Sequence, residues 1–382
     1  MTLVATDSRP IRSTAARMAA PRPSLAEWLL RSPLYALTLG YRTPKSFFAV
    51  SPDSWPGSGD QGRRIMAGEY MAASVVGRVQ PNADDAPWRR PGAHPLWLAS
   101  LNEFGWLRDL RDSGEAGAAS LAVRLIDDWT DREWRFSPVT WRRDVLAERI
   151  VSWIRHFDWL AASADPAFAG RFVYSLSRQR VHLRRAARTG MIGHEAVTVL
   201  KALVISDLAF LREGKRHEKV LEQSLGRLAK FVKRYVLPDG VVAERAPHLQ
   251  LKVLRDLIDV RTALSSAERR APAELVAAID RLAPMLRFFR HGDGGLALFN
   301  GAWETDRTLV DLVLARSGSN EPAPLTALQS GFLRLNAGTT QVVVDAGSPP
   351  GRGMDELAHA GTLSFEMSAA HERRSEEHTS EL

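Results

Sequence analysis

The residues of this chain that invite chemistry are tryptophans and scattered acids and bases. Ten of its eleven tryptophans fall between Trp28 and Trp159. An indole offers a large apolar face and one N–H donor, which suits the C–H face of a pyranose ring. Trp97, Trp106, Trp134 and Trp141 are therefore candidates for the walls of a sugar cleft, with Asn102 and Glu103 as polar contacts beside them. Each also has a plain structural reading, because indoles fill cores. Acids for a hydrolytic pair exist at Asp128, Glu133, Asp144 and Glu244, but no spacing couples two of them as glycoside hydrolysis requires. The chain has no cysteine, which removes thiolate catalysis, disulfides and cysteine-based zinc sites. The glycines of HGDGG (291–295) precede no strand–helix unit, so they form a turn and not a phosphate cradle.

Positioning such residues takes a large helical scaffold. The chain has 382 residues, 45% hydrophobic and 25% charged, an ordinary globular balance with room for two or three domains. Apolar residues recur at helical spacing near 95–112, 115–131, 139–162, 166–188, 194–212, 217–236, 248–265 and 272–289. Val145, Ile150, Ile154 and Phe157 share one such face. Glycine, proline or aspartate punctuates the gaps, as at Pro238-Asp239-Gly240, so the helices should form hairpins. Periodicity does not separate a bundle, a solenoid and a closed toroid. Segment 25–39 is a further apolar stretch, and 44–92 reads as an extended loop with a short helix near 63–73. After His291 the pattern changes to short strand-like runs at 331–336, 339–346 and 361–368, the first two joined by a turn at Ala337-Gly338. A domain boundary is placed near 290.

Three stretches resemble heparinase II/III-like proteins: WRFSPVTWRRDVLAERIVSWIRHFDWL (134–160), the helix pair within 202–257, and most specifically RHGDGGLALFNGA (290–302) with GFLRLNAGTTQVVVDAG (331–347) and HAGTLSFEMS (359–368). The resemblance covers about residues 25–370. It implies a mainly α then β chain: an incomplete (α/α) toroid over 25–290, then the first strands of an antiparallel β-sandwich over 291–373. It also implies a uronate-containing polysaccharide in the cleft between them, cleaved by β-elimination. Such a reaction removes the C5 proton and expels the C4 oxygen. It needs a base, an acid for the leaving oxygen and a group that neutralises the carboxylate.

The family's residues carry over unevenly. The toroid's Asn or His at a helix head corresponds to Gly193-His194, with Gly193 at the amide's place and His194 as the carboxylate neutraliser or base. The family's Tyr, which follows a Pro, has no counterpart in Ala246-Pro247-His248-Leu249-Gln250, so His248 is its replacement, with Arg245 beside it. Tyr174 and Tyr235 read as core residues. Of the sandwich's His-x-His pair only His359 remains, matching the member associated with metal. No cofactor is required. A structural zinc, should one bind, would take its other ligands from beyond the present C-terminus, since such a site needs three or more. These departures leave a catalytically degenerate glycan-binding protein of the cell envelope as the alternative, with a toroid hydrolase third.

The net charge of +7 and pI near 9.9 fit an acidic polysaccharide partner and equally the prevalence of Arg over Lys that a GC-rich genome produces. No nucleic-acid motif and no run of about 20 apolar residues is present. Residues 1–24 read as a disordered leader without a secretory apolar core. The family implies the periplasm or cell envelope, the leader the cytoplasm. Residues 374–382 (RSEEHTSEL) resemble a translated sequencing adapter, so the native chain is expected to continue past Arg373. Oligomeric state is not legible.

Overall fold

The computed structural model describes residues 25–40, 52–80, 87–210, 215–355, 358, 361 and 363–375. The leader at 1–24, His359 and residues 376–382 of the tail lie outside them, while Arg374 and Ser375 end the last strand.

Two short helices, α1 (Leu25–Arg31) and α2 (Pro33–Leu39), open the described chain, and α3 (Gly59–Met66) follows. The apolar segment 25–39 splits because Ser32 caps α2, accepting from Tyr35 N–H, and Pro33 sits at its first turn. A hairpin of β1 (Glu69–Ala72) and β2 (Val75–Arg78) stands where the sequence suggested a loop. Its strands are four residues each, too short to show alternation. Its two turn residues, Ala73 and Ser74, both take positive φ (49° and 58°) without the Gly or Asn that normally marks such a turn.

The helical layer continues with α4 (Pro95–Glu103), α5 (Leu107–Asp112), α6 (Ala118–Arg132), α7 (Arg143–Ala161), α8 (Phe168–Ala186), α9 (Gly193–Ala209), α10 (Lys215–Tyr235), α11 (Pro247–Ser266) and α12 (Ala273–Phe288). These match the expected stretches, except that 95–112 breaks where Phe104 turns left-handed (φ 59°). An additional helix, α13 (Arg307–Ser317), was hidden by its Pro-rich flank; Asp306 caps its start and Gly318 (φ 77°) ends it. Helix α9 packs on α7, α10 and α11. All of 196–209 in α9 is buried, as an apolar helix at the centre of a helical array should be.

The C-terminal part is one antiparallel sheet in the order β3 (Thr326–Ala327), β4 (Phe332–Ala337), β5 (Thr340–Asp345), β6 (Phe365–Ala369) and β7 (Glu372–Ser375). The turn between β4 and β5 lies at Gly338-Thr339, with Ala337 opposite Thr340. The chain is thus mostly helical, thirteen helices among the described residues, followed by a five-stranded antiparallel sheet.

Two arginines weld sheet to helices. Arg334 of β4 donates to the carbonyls of Arg287 (3.0 Å), Phe288 and Arg290 (3.1 Å), so a cation closes the C-terminal end of α12. Arg245, ahead of α11, pairs with Asp345 of β5 and donates to the carbonyls of Ser330 (2.9 Å) and Ser348 (2.6 Å). The guanidinium also lies 4.7 Å from the centre of the Phe332 ring.

Candidate active site

The Asp239-Gly240 turn after α10 sends the chain back along itself, with Val236 bridged to Val242. Gln250 of α11 locks the turn: its Oε1 accepts from Val242 N–H (3.0 Å) and its amide donates to the carbonyls of Gly240 (2.8 Å) and Leu282 (3.1 Å). The locked loop delivers Glu244 to the N-terminal end of α9. There one carboxylate oxygen accepts from the backbone N–H of His194 (2.6 Å) and lies 3.2 Å from His194 Nδ1. Gly193 makes this approach possible. A Cβ there would stand 2.4 Å from Glu244 Oε1, and the residue takes φ +58°, a conformation that glycine adopts freely. The other Glu244 oxygen is buried without a partner, as is the Tyr235 hydroxyl. Burial, and then the Glu244 carboxylate, hold that phenol well above its usual range.

His248 is the second residue of α11, and Pro247 occupies the helix's first position. It is 4% exposed, yet neither ring nitrogen has a hydrogen-bond partner. Trp303 covers it, with ring centroids 3.8 Å apart and planes tilted by 39°. Burial and then His194 push the imidazole down to about 4, against a smaller opposing pull from Glu244. It is therefore neutral near pH 7, a weakened base whose ring nitrogens make no hydrogen bond.

His194 and His248 line one cleft of about 650 Å³, together with Glu103, Lys252, Arg255 and Trp303. A second hollow of about 800 Å³ adjoins it, sharing Leu96, Arg142, Asp144, His194, Glu195 and Leu249. The floor is charged but largely self-neutralised. Lys201 pairs with Asp256 (2.6 Å) and Glu148 (3.1 Å), and Lys252 bonds the same two carboxylates. Arg155 meets Asp259 (2.8 Å), Arg108 meets Asp53, and Arg142 grips Asp144 through two bonds of 2.7 Å. Two side chains stand apart. Neither Glu103 nor Arg255 makes a side-chain hydrogen bond or ion pair with any described residue. Burial, and then the nearby Glu148 carboxylate, push Glu103 up to about 7; Asp144 adds to the rise, while Lys252 and Arg142 oppose it.

The structure brings His194 and His248 together but places other candidates elsewhere. Arg245 faces the sheet, with its guanidinium engaged by Asp345 and two carbonyls, and does not line the cleft. Asn102 is fully buried: its amide donates to the carbonyls of Trp88 and Leu98, and its oxygen accepts from Trp129. Trp97 is 1% exposed and donates to Tyr70 O (3.1 Å), so it is core. Trp106 and Trp141, each 2% exposed, show only an edge to the two hollows and donate to the carbonyls of Leu101 and Glu133. Trp134 is exposed, but it lies against Arg135 and Arg178, away from both hollows. Two carboxylates are likewise structural: Asp128 holds Trp88 Nε1 (2.7 Å) and Glu133 holds Arg89 and Thr140. Sequence reasoning overlooked Trp303, the one tryptophan outside the N-terminal cluster, along with Arg255 and the role of Glu244 beside His194. Among the described residues no three His, Asp or Glu converge as metal ligands. No helix among them is long and apolar enough to cross a membrane.

Comparison with known proteins agrees with the sequence resemblance. Residues 320–374 match the family described as Heparinase II/III-like, C-terminal. A crystal structure of heparinase III superposes with a TM-score of 0.68 at 13% identity, covering 89% of this chain and 61% of that one. The heparan sulfate lyase HepC from Pedobacter heparinus gives a TM-score of 0.55 at 16% identity, over 89% of this chain and 59% of that one. FtsZ-localized protein C of Caulobacter vibrioides (strain NA1000 / CB15N) is 29% identical over 347 residues, covering 91% of this chain and 59% of that protein. The chain thus spans about three fifths of the length of the proteins it matches. It is heparinase II/III-like in sequence over its C-terminal segment and in fold over most of its length.

Proposed function

We propose that this heparinase-like chain is built to cleave a uronate-containing polysaccharide by β-elimination in the cleft beneath Trp303. The observation that carries this reading is the pair of histidines. His248 is neutral, buried and unpartnered, while His194 is held by a carboxylate in the same cleft. His248 takes the C5 proton. The electrons of that C–H bond form the C4–C5 double bond as the C4–O bond breaks. With Nδ1–H of His194 donated to Glu244, the ring gives a proton from Nε2 to the departing oxygen when it enters the step as the imidazolium, and leaves it as the neutral imidazole. Charge developing on the uronate carboxylate is met by Arg255, the lining cation that makes no hydrogen bond or ion pair among the described residues. Glu244 touches no substrate; it is a positioning residue for His194. No step here is assigned to a metal, and a zinc site involving His359 is a separate expectation.

A second reading is favoured by a specific departure. The stretch 246–250 holds no tyrosine, and the relative at 29% identity is named for localisation with FtsZ and not for lyase activity. On that reading the cleft binds glycan without cleaving it, in the cell envelope or associated with FtsZ. One assay decides. The chain is incubated with a panel of uronate polymers while the ultraviolet absorbance of unsaturated uronate is followed, with and without chelator. Product formation that is lost in His248→Ala supports the lyase. Measurable binding with a flat trace across the panel supports the second reading.

A further inference from the structure

We propose that the cleft takes a glycan whose repeat carries both charges: a uronate carboxylate held by Arg255 and, beside it, an amino sugar with a free protonated amine held by Glu103. The proposal rests on the uronate-binding reading above and adds the charge of the neighbouring sugar.

The floor's charge pairing is the starting point. A densely sulfated polymer presents an anion on nearly every ring and needs a row of unspent cations. Here Lys201, Lys252, Arg108, Arg155 and Arg142 already face carboxylates of this chain. Among the described residues lining the cleft, Arg255 is the cation whose side chain makes no hydrogen bond or ion pair, although the carboxylates of Asp256, Glu148, Asp259 and Asp53 act on it from a distance. It offers a planar fork of donors, the geometry a carboxylate accepts. The chain's excess of seven positive charges is therefore not concentrated where substrate would lie.

The same pairing leaves one carboxyl over. Asp53, Asp144, Glu148 and Asp259 have arginine or lysine partners, and Asp109 accepts from Ser58 N–H (2.7 Å), whereas Glu103 has neither. Glu148 is in electrostatic reach of both Glu103 and Arg255, so the two unspent groups belong to one stretch of floor. Glu103 also feels Asp144 and Arg142 at the start of α7, Lys252 of α11, Tyr70 of β1 and Arg149 of α7. A carboxyl pushed up to about 7 by burial and a like charge is relieved by a cation arriving in the cleft. An ammonium on the substrate supplies that cation. An acetylated nitrogen carries no charge and leaves the carboxyl as it was. His248, buried and unpartnered in the same cleft, independently marks this space as one completed by a ligand.

The test compares oligosaccharides of alternating glucuronate and N-acetylglucosamine with the same oligosaccharides after N-deacetylation, and with a densely sulfated polymer. Affinity is measured by calorimetry on the whole chain, and unsaturated product is followed separately. The deacetylated form is expected to bind about tenfold tighter than the acetylated one, equivalent to ~1.4 kcal/mol. Glu103→Gln should bring the two to parity, and Arg255→Met should weaken both alike. In the unaltered chain, raising pH until the sugar amine loses its proton should erase the preference, a control that needs no variant. Equal affinities, a preference that survives Glu103→Gln, tighter binding of the sulfated polymer, or no binding to any of the three would overturn the proposal. A preference in binding without unsaturated product would sustain it and retire the lyase reading. Product without a preference would do the reverse.

Discussion

At the scale of single residues, the two histidines are held by opposite means and should respond differently to substitution. His248 makes no hydrogen bond, so its imidazole carries a desolvation cost with no bond to offset it. Replacing it with leucine should leave the melting temperature unchanged or raise it, while unsaturated product falls by about a hundredfold or more, the usual contribution of a general base. A loss of stability matching the loss of product would mean the ring is merely structural. His194 depends on Glu244. Glu244→Gln should lower turnover by about ten- to a hundredfold and shift the pH profile, while KM changes little, because the carboxylate orients the ring and does not bind sugar. An unmoved pH profile would remove Glu244 from the mechanism. Among these residues the histidines could be picked from sequence because their neighbours, Gly193 and Pro247, carry a recognisable pattern. Glu103 was named beside Asn102 as a polar contact, but nothing local separated the two, and Trp303 and Arg255 were not picked at all, because nothing local says that a side chain is unspent.

At the scale of elements, the start of α9 is the tightest point. Gly193→Ala would force a Cβ into the space of Glu244 Oε1 and require a left-handed alanine. It should cost about 1 kcal/mol of backbone strain and cut activity by detaching Glu244 from His194. A crystal structure or melting curve indistinguishable from the parent's would count against this account. The centre of α9 makes a second case. Lys201 is 2% exposed and bonds Asp256, itself fully buried, so Lys201→Met leaves that carboxylate with only Lys252 and Thr198 as partners. A loss of about 1–3 kcal/mol in chemical denaturation is expected, and a change within error would show that Lys252 or water takes the ammonium's place. The eight expected helical stretches were legible because their apolar spacing is long and regular. The β1–β2 hairpin was not, since its strands are short and its left-handed turn residues are alanine and serine.

At the scale of the whole molecule, stability should fall on the acid side. Burial leads the shift in each of three histidines, His156, His182 and His248, and each is pushed down to about 4. Unfolded, they titrate near 6.5, so between about 6.5 and 4 the unfolded chain binds more protons than the folded one. Their contribution is present above pH 6.5 and is lost as pH falls toward 4, on the order of 1–3 kcal/mol for each. Below that, Asp53, Asp256 and Glu148, whose pKa values are lowered, add to the loss. Denaturant melts from pH 7 to 4 check this, and a flat profile would refute it. The junction between helices and sheet should fail when Arg245→Ala leaves Asp345 buried without its cation, at about 3–5 kcal/mol. Early proteolysis between 318 and 332 would report the sheet coming loose, and unchanged resistance would deny the junction that role.

Although it missed the β1–β2 hairpin and α13, the sequence by itself determined the run of helices from 95 to 289, the strand-like segments that follow and the likeness to heparinase-like proteins. These are written in periodicity and short motifs, which are local properties of a chain. It also nominated His194 and His248. The tertiary structure alone decided which polar groups are spent. Asn102, Arg245 and most of the tryptophans have the composition of a binding site, but partners far along the chain consume their hydrogen-bonding groups, as when Asp345 engages Arg245 across 100 positions. Glu103 looks no different from Asn102, and Arg255 like an ordinary helix residue, until the pairing of the neighbouring charges leaves both without a hydrogen bond or ion pair among the described residues. Availability is set by what folds against a side chain, and that is fixed only when distant segments meet.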